Sequence, residues 1–237
     1  MNAGDLHGRI ALVTGASRGI GRAAALALAE AGAHVIALAR TVGGLEELDD
    51  AIQAKGGSTT LVPLDLKDFA GIDRMGAAIF ERWGKLDMLL ANAGILGVLT
   101  PLTHLAPRVW DDLMAVNVTA NWRLIRSLDQ LLRLSDAGRA VFVSSGAANY
   151  NRPFWGGYAV SKAALDAMVK TYAAELTGTT VKANLLYPGP TRTAMRAQAM
   201  PGEDPMTLPA PEELAPLIVE MLSPDYAANG EVVRFKR

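Results

Sequence analysis

Cysteine is missing altogether from the 237 residues, and histidine occurs only at His7, His34 and His104. Without cysteine there is no disulfide, no thiolate nucleophile and no sulfur-ligated metal site. Three histidines this scattered suggest no metal centre, and none is expected. An excess of one charge is missing too, since 23 Lys and Arg face 24 Asp and Glu for a net charge of −1. With no basic block, the chain has no electrostatic footprint for nucleic acid or an anionic membrane. No run approaches the ~18 uninterrupted apolar residues that a membrane span requires. The opening, MNAGDLHGRIALVTG, lacks the basic start and apolar run of a secretory signal, so a cytoplasmic chain is expected.

Half of the residues are apolar and 20% are charged, the balance of a globular chain. Short apolar runs alternate with helical segments. RIALVTG reads as a strand ending in glycine, followed by an alanine-rich helix from Ile20 to Ala31. HVIALA, STTLVPL, LDMLLAN, RAVFVSS, TVKANLLY and EVVRF read as six further strands. Helices are expected at GLEELDDAIQAKGG, Asp68 to Trp83, Pro107 to Leu134 as one long stretch, the segment after Gly156 to about Leu176, and after Pro211. A loop with six prolines, Pro188 to Pro211, is expected on the substrate side. Strands poor in charge, alternating with helices, imply a parallel sheet covered on both faces, here a single doubly wound α/β domain over residues 1–237.

The first strand–helix junction is TGASRGIG, with Thr14, Gly15, Gly19 and Gly21. Glycines there allow a tight turn and let the backbone approach a pyrophosphate at the helix N-terminus, where free N–H groups and the dipole favour anions. Glycines after a strand can also simply turn the chain. In the first βα unit of a doubly wound sheet, though, the nucleotide reading is favoured. An NAD site typically carries an acid near the end of the second strand, to bond the ribose 2′-hydroxyl. Here that strand ends in Ala39 and Arg40, and Arg18 adds a second cation inside the loop. Two arginines suit a 2′-phosphate, so NADP(H) is expected over NAD(H). In GGYAVSKAAL, Tyr158 and Lys162 stand one helical turn apart, a spacing that ordinary surface helices also show.

Taken with the glycine loop, this pair resembles the short-chain dehydrogenase/reductase family, and the resemblance runs from about Gly8 to about Val233. LDL at Leu64 to Leu66 is similar to its adenine-contacting segment, ANAG at Ala91 to Gly94 to its NNAG motif, and Asn117 in MAVNV to its helix asparagine. VSSG, YAVSK and YPGPTRT complete the order. The resemblance implies a Rossmann sheet of about seven strands in the order 3-2-1-4-5-6-7. It also implies hydride exchange between a nicotinamide and a small-molecule carbonyl or alcohol, and a homodimer or homotetramer built on the long helix. The catalytic set it implies is Asn117, Ser145, Tyr158 and Lys162. Tyr158 would donate the proton and Ser145 would bond the same oxygen. Lys162 would hold the nicotinamide ribose and lower the phenol, and Asn117 would position a water. Ser145 is chosen over Ser144 because the family serine usually lies thirteen residues before the tyrosine. The implied cofactor contacts are Gly15, Ser17, Arg18, Gly19, Ile20 and Gly21 in the loop, then Arg40, Asp65 and Leu66, then Asn92, Ala93 and Gly94. Tyr158, Lys162, Pro188, Gly189, Thr191 and Thr193 complete them.

A shift of the phenol from about 10 to about 7 requires roughly 4 kcal/mol, about what a cation ~4 Å away supplies at an effective dielectric near 20. The chain departs from the family at Ala91, where NNAG has its first asparagine, and in the tail GEVVRFKR. Phe154, Trp155, Tyr150 and Arg152 could wall a substrate pocket or serve as core or subunit contacts. Met195, Met200 and Met206 suit an adaptable lid but are also ordinary filler. The alternative to a reductase is a catalytically silent NADP(H)-binding sensor or scaffold.

Overall fold

A computed structural model describes residues 5–236. The strands are β1 (Ile10–Thr14), β2 (His34–Ala39), β3 (Ser58–Pro63), β4 (Met88–Ala91), β5 (Arg139–Val143), β6 (Lys182–Tyr187) and β7 (Val232–Arg234). The helices are α1 (Gly19–Glu30), α2 (Val42–Gln53), α3 (Phe69–Trp83), α4 (Pro107–Met114), α5 (Ala120–Arg133), α6 (Gly156–Glu175), α7 (Ala194–Ala199) and α8 (Pro211–Leu222). All seven strands form one parallel sheet in the order β3-β2-β1-β4-β5-β6-β7, as expected. Among the described residues no helix is long and apolar enough to cross a membrane.

The strands carry few charges because both of their faces are buried. Ile10, Leu12, Ile36, Leu38, Leu89 and Phe142 point to the layer of α3, α5 and α6. Their neighbours Ala11, Val13, Val35, Ala37, Leu90 and Val141 point to the layer of α1, α2 and α8. This strict alternation pins the register, since a slip of one residue would exchange the two cores.

The two ends of the sheet differ in kind. At the amino ends, buried Asp87 accepts from Ile10 N at 2.9 Å and Lys85 Nζ at 2.9 Å, and also from the Ser135 hydroxyl. That knot ties β1, β4 and the approach to β5 together. At the carboxyl ends the strand order reverses between β1 and β4, which opens the crevice where ligands bind in such sheets.

Two expectations are corrected. The stretch Pro107 to Leu134 is not one regular helix, because α4 and α5 are joined by a π-helical turn at Ala115–Thr119 that holds Asn117. The freed Asn117 carbonyl accepts from Asn121 Nδ2 at 2.9 Å, a tertiary adjustment with no periodicity signal. The proline-rich segment 188–211 is not wholly loop, since it folds α7 and a 3₁₀ turn at Pro205–Thr207. Thr193 and Asp204 start these by accepting from Arg196 N and Met206 N.

Candidate active site

One cavity of about 700 Å³ runs along the carboxyl ends of β1, β2, β4, β5 and β6. At one end lie Arg18 and Arg40, at the other Ser145, Trp155, Tyr158 and Lys162. Gly15, Ser17, Gly19, Ile20, Asp65, Leu66, Asn92, Ala93, Gly94, Pro188, Gly189, Thr191 and Thr193 also line it, whereas Gly21 and Asn117 do not.

Gly21 acts by what it leaves out. A Cβ there would strike the Gly15 carbonyl and come within 2.5 Å of Asn92 Nδ2, so a side chain would lift α1 off the strand ends. Gly15 itself sits at φ +67°, where a side chain is strained. Thr14, buried at the end of β1, accepts from the backbone N–H groups of Asn92 and Ala93, both at 3.0 Å. Asn92 returns a bond from Nδ2 to Thr14 O at 2.9 Å. Its amide group thus rivets β4 to β1 and shapes the floor of the cavity.

Arg18 and Arg40 are exposed, and among the described residues neither guanidinium has a carboxylate partner. Ala39 ends β2 with no acid beside it. Asp65 spends one oxygen accepting from Lys67 N at 2.9 Å, an Asx turn that holds the carboxylate at the rim.

Helix α6 supplies the other end. Tyr158, Lys162 and Asp166 fall at i, i+4 and i+8, all on one buried face. Lys162 Nζ donates to Val143 O at 2.8 Å and lies 5.9 Å from the centroid of the Tyr158 ring. Burial pushes the ammonium down to about 8, against the pull of the Asp166 carboxylate. Burial pushes the Tyr158 phenol up, opposed by a hydrogen bond with the Ser145 hydroxyl. Desolvation dominates at the phenol, and the Lys162 ammonium spends a hydrogen bond on Val143 O. A phenol held above its ordinary value keeps its proton at neutral pH, as a proton donor must.

Neighbouring Ser144 and Ser145 part company. Ser144 is buried and donates to Asp166 Oδ1, while Ser145 meets Tyr158. Asp166 also accepts from the Tyr187 hydroxyl, which in turn accepts from Asn149 Nδ2 at 2.7 Å. This carboxylate binds α6, the end of β5 and the end of β6 into one frame. Sequence reasoning missed Asp166, although its spacing of one turn beyond Lys162 was a usable signal.

Asn117 is buried with both amide hydrogens spent, on Ile95 O at 2.9 Å and Ser161 Oγ at 3.0 Å. Its Oδ1 accepts from Ile95 N at 2.9 Å. The side chain clamps the segment after Gly94 onto α6. Trp155 lines the cavity and meets Tyr158 edge-on, with ring centroids 6.1 Å apart. Phe154 turns out to solvent at φ +73°, and Arg152 is exposed off the wall. Met195 lines the cavity, but Met200 and Met206 do not.

The buried ammonium makes a stability prediction with a definite sign. Burial brings Lys162 down to about 8 in the folded chain, against its ordinary 10.5 when unfolded. Between those values the native state binds fewer protons than the unfolded one, so its burial penalty is full below pH 8 and fades as pH rises. Lys162→Met removes the penalty. Denaturant midpoints of wild type and variant should differ most in favour of methionine at pH 7 and converge toward pH 10. A gap that is constant with pH would contradict this.

Residues 9–204 match the short chain dehydrogenase family model, and the chain belongs to that family of NAD(P)-dependent oxidoreductases. YciK, an uncharacterized oxidoreductase of Escherichia coli, is 40% identical over 223 residues, spanning 93% of this chain and 88% of its own. A short chain dehydrogenase from Escherichia coli, crystallised with NADPH, superposes with a TM-score of 0.92 at 38% identity and 99% coverage of both chains. An uncharacterized NAD-dependent oxidoreductase of Mycobacterium tuberculosis is 35% identical over 206 residues, covering 81% of this chain and 74% of that one.

Proposed function

We propose that this chain is an NADP(H)-preferring carbonyl reductase that can also run in reverse as an alcohol dehydrogenase, with Tyr158 as the proton donor. The observation that carries the reading is a single cavity with two unpaired arginines at one end and Ser145, Tyr158 and Lys162 at the other. The residues present fit a dinucleotide. The glycine loop leaves no room for a Cβ at Gly21, and Arg18 and Arg40 offer free guanidinium forks where β2 carries no acid. When bound, the nicotinamide supplies or accepts the hydride.

The chain's own residues then handle the proton. Ser145 bonds the carbonyl oxygen as its charge grows, and Tyr158 delivers its phenolic proton to that oxygen. Lys162, anchored on Val143 O, stands behind the phenol to stabilise the phenolate left by transfer. Asn117 keeps Gly94 against this pair, since a Cβ on Gly94 would lie 3.2 Å from Asn117 Oδ1 and 3.5 Å from Lys162 Nζ. Leu96, Trp155 and Met195 wall off water. The NADPH held by the Escherichia coli relative supports the cofactor assignment, and the NAD-dependent Mycobacterium tuberculosis relative sets the opposing case to be tested. Trp110 and Trp122, 37% and 45% exposed on α4 and α5, support self-association as a homodimer or homotetramer.

The test is a panel of ketones and aldehydes with NADPH and NADH, followed by the absorbance of the reduced nicotinamide. Oxidation of NADPH in preference to NADH is the expected result. Tight NADPH binding with no turnover across a broad panel would instead favour a sensor or scaffold.

A further inference from the structure

We propose that Asp166 is a positioning residue of the reaction: a counter-charge outside the cavity that keeps Lys162 an ammonium, while the Ser144 and Tyr187 hydroxyls hold its carboxylate back from direct contact with that ammonium. The role in turnover rests on the reductase reading, whereas the pairing itself does not.

Lys162 needs such a partner. It is 4% exposed, and a buried ammonium with no opposite charge nearby gives up its proton. Few charged or titratable groups face it. Tyr158 shares its helix, Asn117 on the π-helical turn is neutral, and Ser144 and Ser145 follow β5. Tyr187, at the end of β6, is pushed up to about 12 by burial and by Asp166, so it stays a neutral donor. Arg234 on β7 is exposed and stacks over the Tyr187 ring, 4.6 Å from its centroid. Lys170, one turn beyond Asp166, is exposed as well. That leaves Asp166, 6% exposed, whose charge raises Lys162 against the burial that lowers it.

The two charges stand at i and i+4 of α6, a spacing that brings Cβ atoms to ~5–6 Å. Even so, among the described residues Asp166 makes no direct ion pair. Its Oδ1 accepts from Ser144 and its Oδ2 from Tyr187, which itself accepts from Asn149 Nδ2 at 2.7 Å. Lys162 Nζ donates to Val143 O at 2.8 Å instead. The ammonium keeps its other hydrogens for the cavity, whose wall includes Lys162 but not Asp166. A carboxylate in direct contact would take those hydrogens and draw the ammonium away from Tyr158. Tied to two hydroxyls one turn away, it lends its charge alone.

NMR titration of the intact chain, with lysine Cε and aspartate Cγ isotopically labelled, reads this directly, and Lys162→Met identifies the Lys162 resonance by its loss. In wild type that resonance should titrate near pH 8. One aspartate Cγ should show an inflection at the same pH and lose it in Lys162→Met. Asp166→Asn keeps a partner for both hydroxyls, since an amide accepts and donates, and removes only the charge. Without the anion the ammonium is less favoured, so the Lys162 midpoint should fall by about one pH unit or more. The alkaline limb of kcat/KM for ketone reduction should fall with it. Ser144→Ala cuts one bond to the carboxylate but keeps its charge, and should leave the Lys162 midpoint at or above the wild-type value. An unmoved midpoint in Asp166→Asn overturns the proposal. So does an equal fall in Ser144→Ala, which would trace the effect to a loosened frame. A wild type without the shared inflection overturns it too, a measurement that needs no Asp166 variant to fold. A Lys162 midpoint that falls while the alkaline limb stays in place removes Asp166 from the reaction. The expected Lys162 shifts without turnover of any carbonyl compound by wild type overturn the reductase reading and leave the pairing standing.

Discussion

Tyr158→Phe is expected to lower turnover by about 10²–10⁴-fold, the usual contribution of a positioned general acid, while NADPH affinity stays within a few-fold of wild type. The variant is close to isosteric. Phenylalanine keeps the ring that packs with Leu96 and Leu113, and the edge contact to Trp155 survives. It loses only the hydroxyl that bonds Ser145 and carries the proton. Burial holds that phenol protonated at neutral pH, so in the reductive direction the donor is fully loaded there. The alcohol-oxidising direction needs the phenolate and should gain as pH rises. Stopped-flow turnover with an accepted ketone, beside a fluorescence titration of NADPH, checks both halves. Turnover within tenfold of wild type would remove Tyr158 from the role of donor.

The cofactor preference should invert in the double variant Arg18→Ala, Arg40→Asp. Each guanidinium lacks a carboxylate partner among the described residues, so neither must break an existing ion pair to meet a 2′-phosphate. A charge-assisted bond is worth about 1.5–3 kcal/mol, and losing two should weaken NADPH by about 10²–10⁴-fold. Arg40→Asp also places an acid at the end of β2, where it can accept from a ribose 2′-hydroxyl and repel a phosphate. The ratio of kcat/KM for NADPH over NADH should therefore exceed one in wild type and fall below one in the variant, with Arg18→Ala alone in between. Because both arginines are exposed, the wild-type preference should shrink as salt is raised. A wild type that favours NADH would refute the assignment outright.

Local chemistry was legible in the chain before any fold was known. The alternation of apolar runs with helical segments reports a sheet buried on both faces, because that burial acts on each strand separately. TGASRGIG declares a turn with no room for side chains, since glycine is the residue type that backbone contact at Gly21 demands. The four-residue spacing of Tyr158 and Lys162 places both on one helix face by geometry alone. The missing acid after Ala39 is readable as a charge deficit. These features depend on neighbours in sequence or on a single residue's shape.

Other features depend on what a residue meets from far along the chain. How completely β5 and α6 exclude water acts on both groups, and burial pushes the Lys162 ammonium down and the Tyr158 phenol up. The Asn117 side chain at the π-helical turn meets Ile95 in the loop after β4 and Ser161 on α6, partners far away in sequence. Ser144 goes inward because Asp166, 22 residues later, waits to accept its hydroxyl. Arg196 and Glu203 meet only once α7 folds and the chain turns back against it. The sequence by itself thus determined the sheet, the phosphate loop and the reactive pair. Only the tertiary structure decided the charge states and the partners, because desolvation and pairing are properties of the packed interior that no single segment possesses.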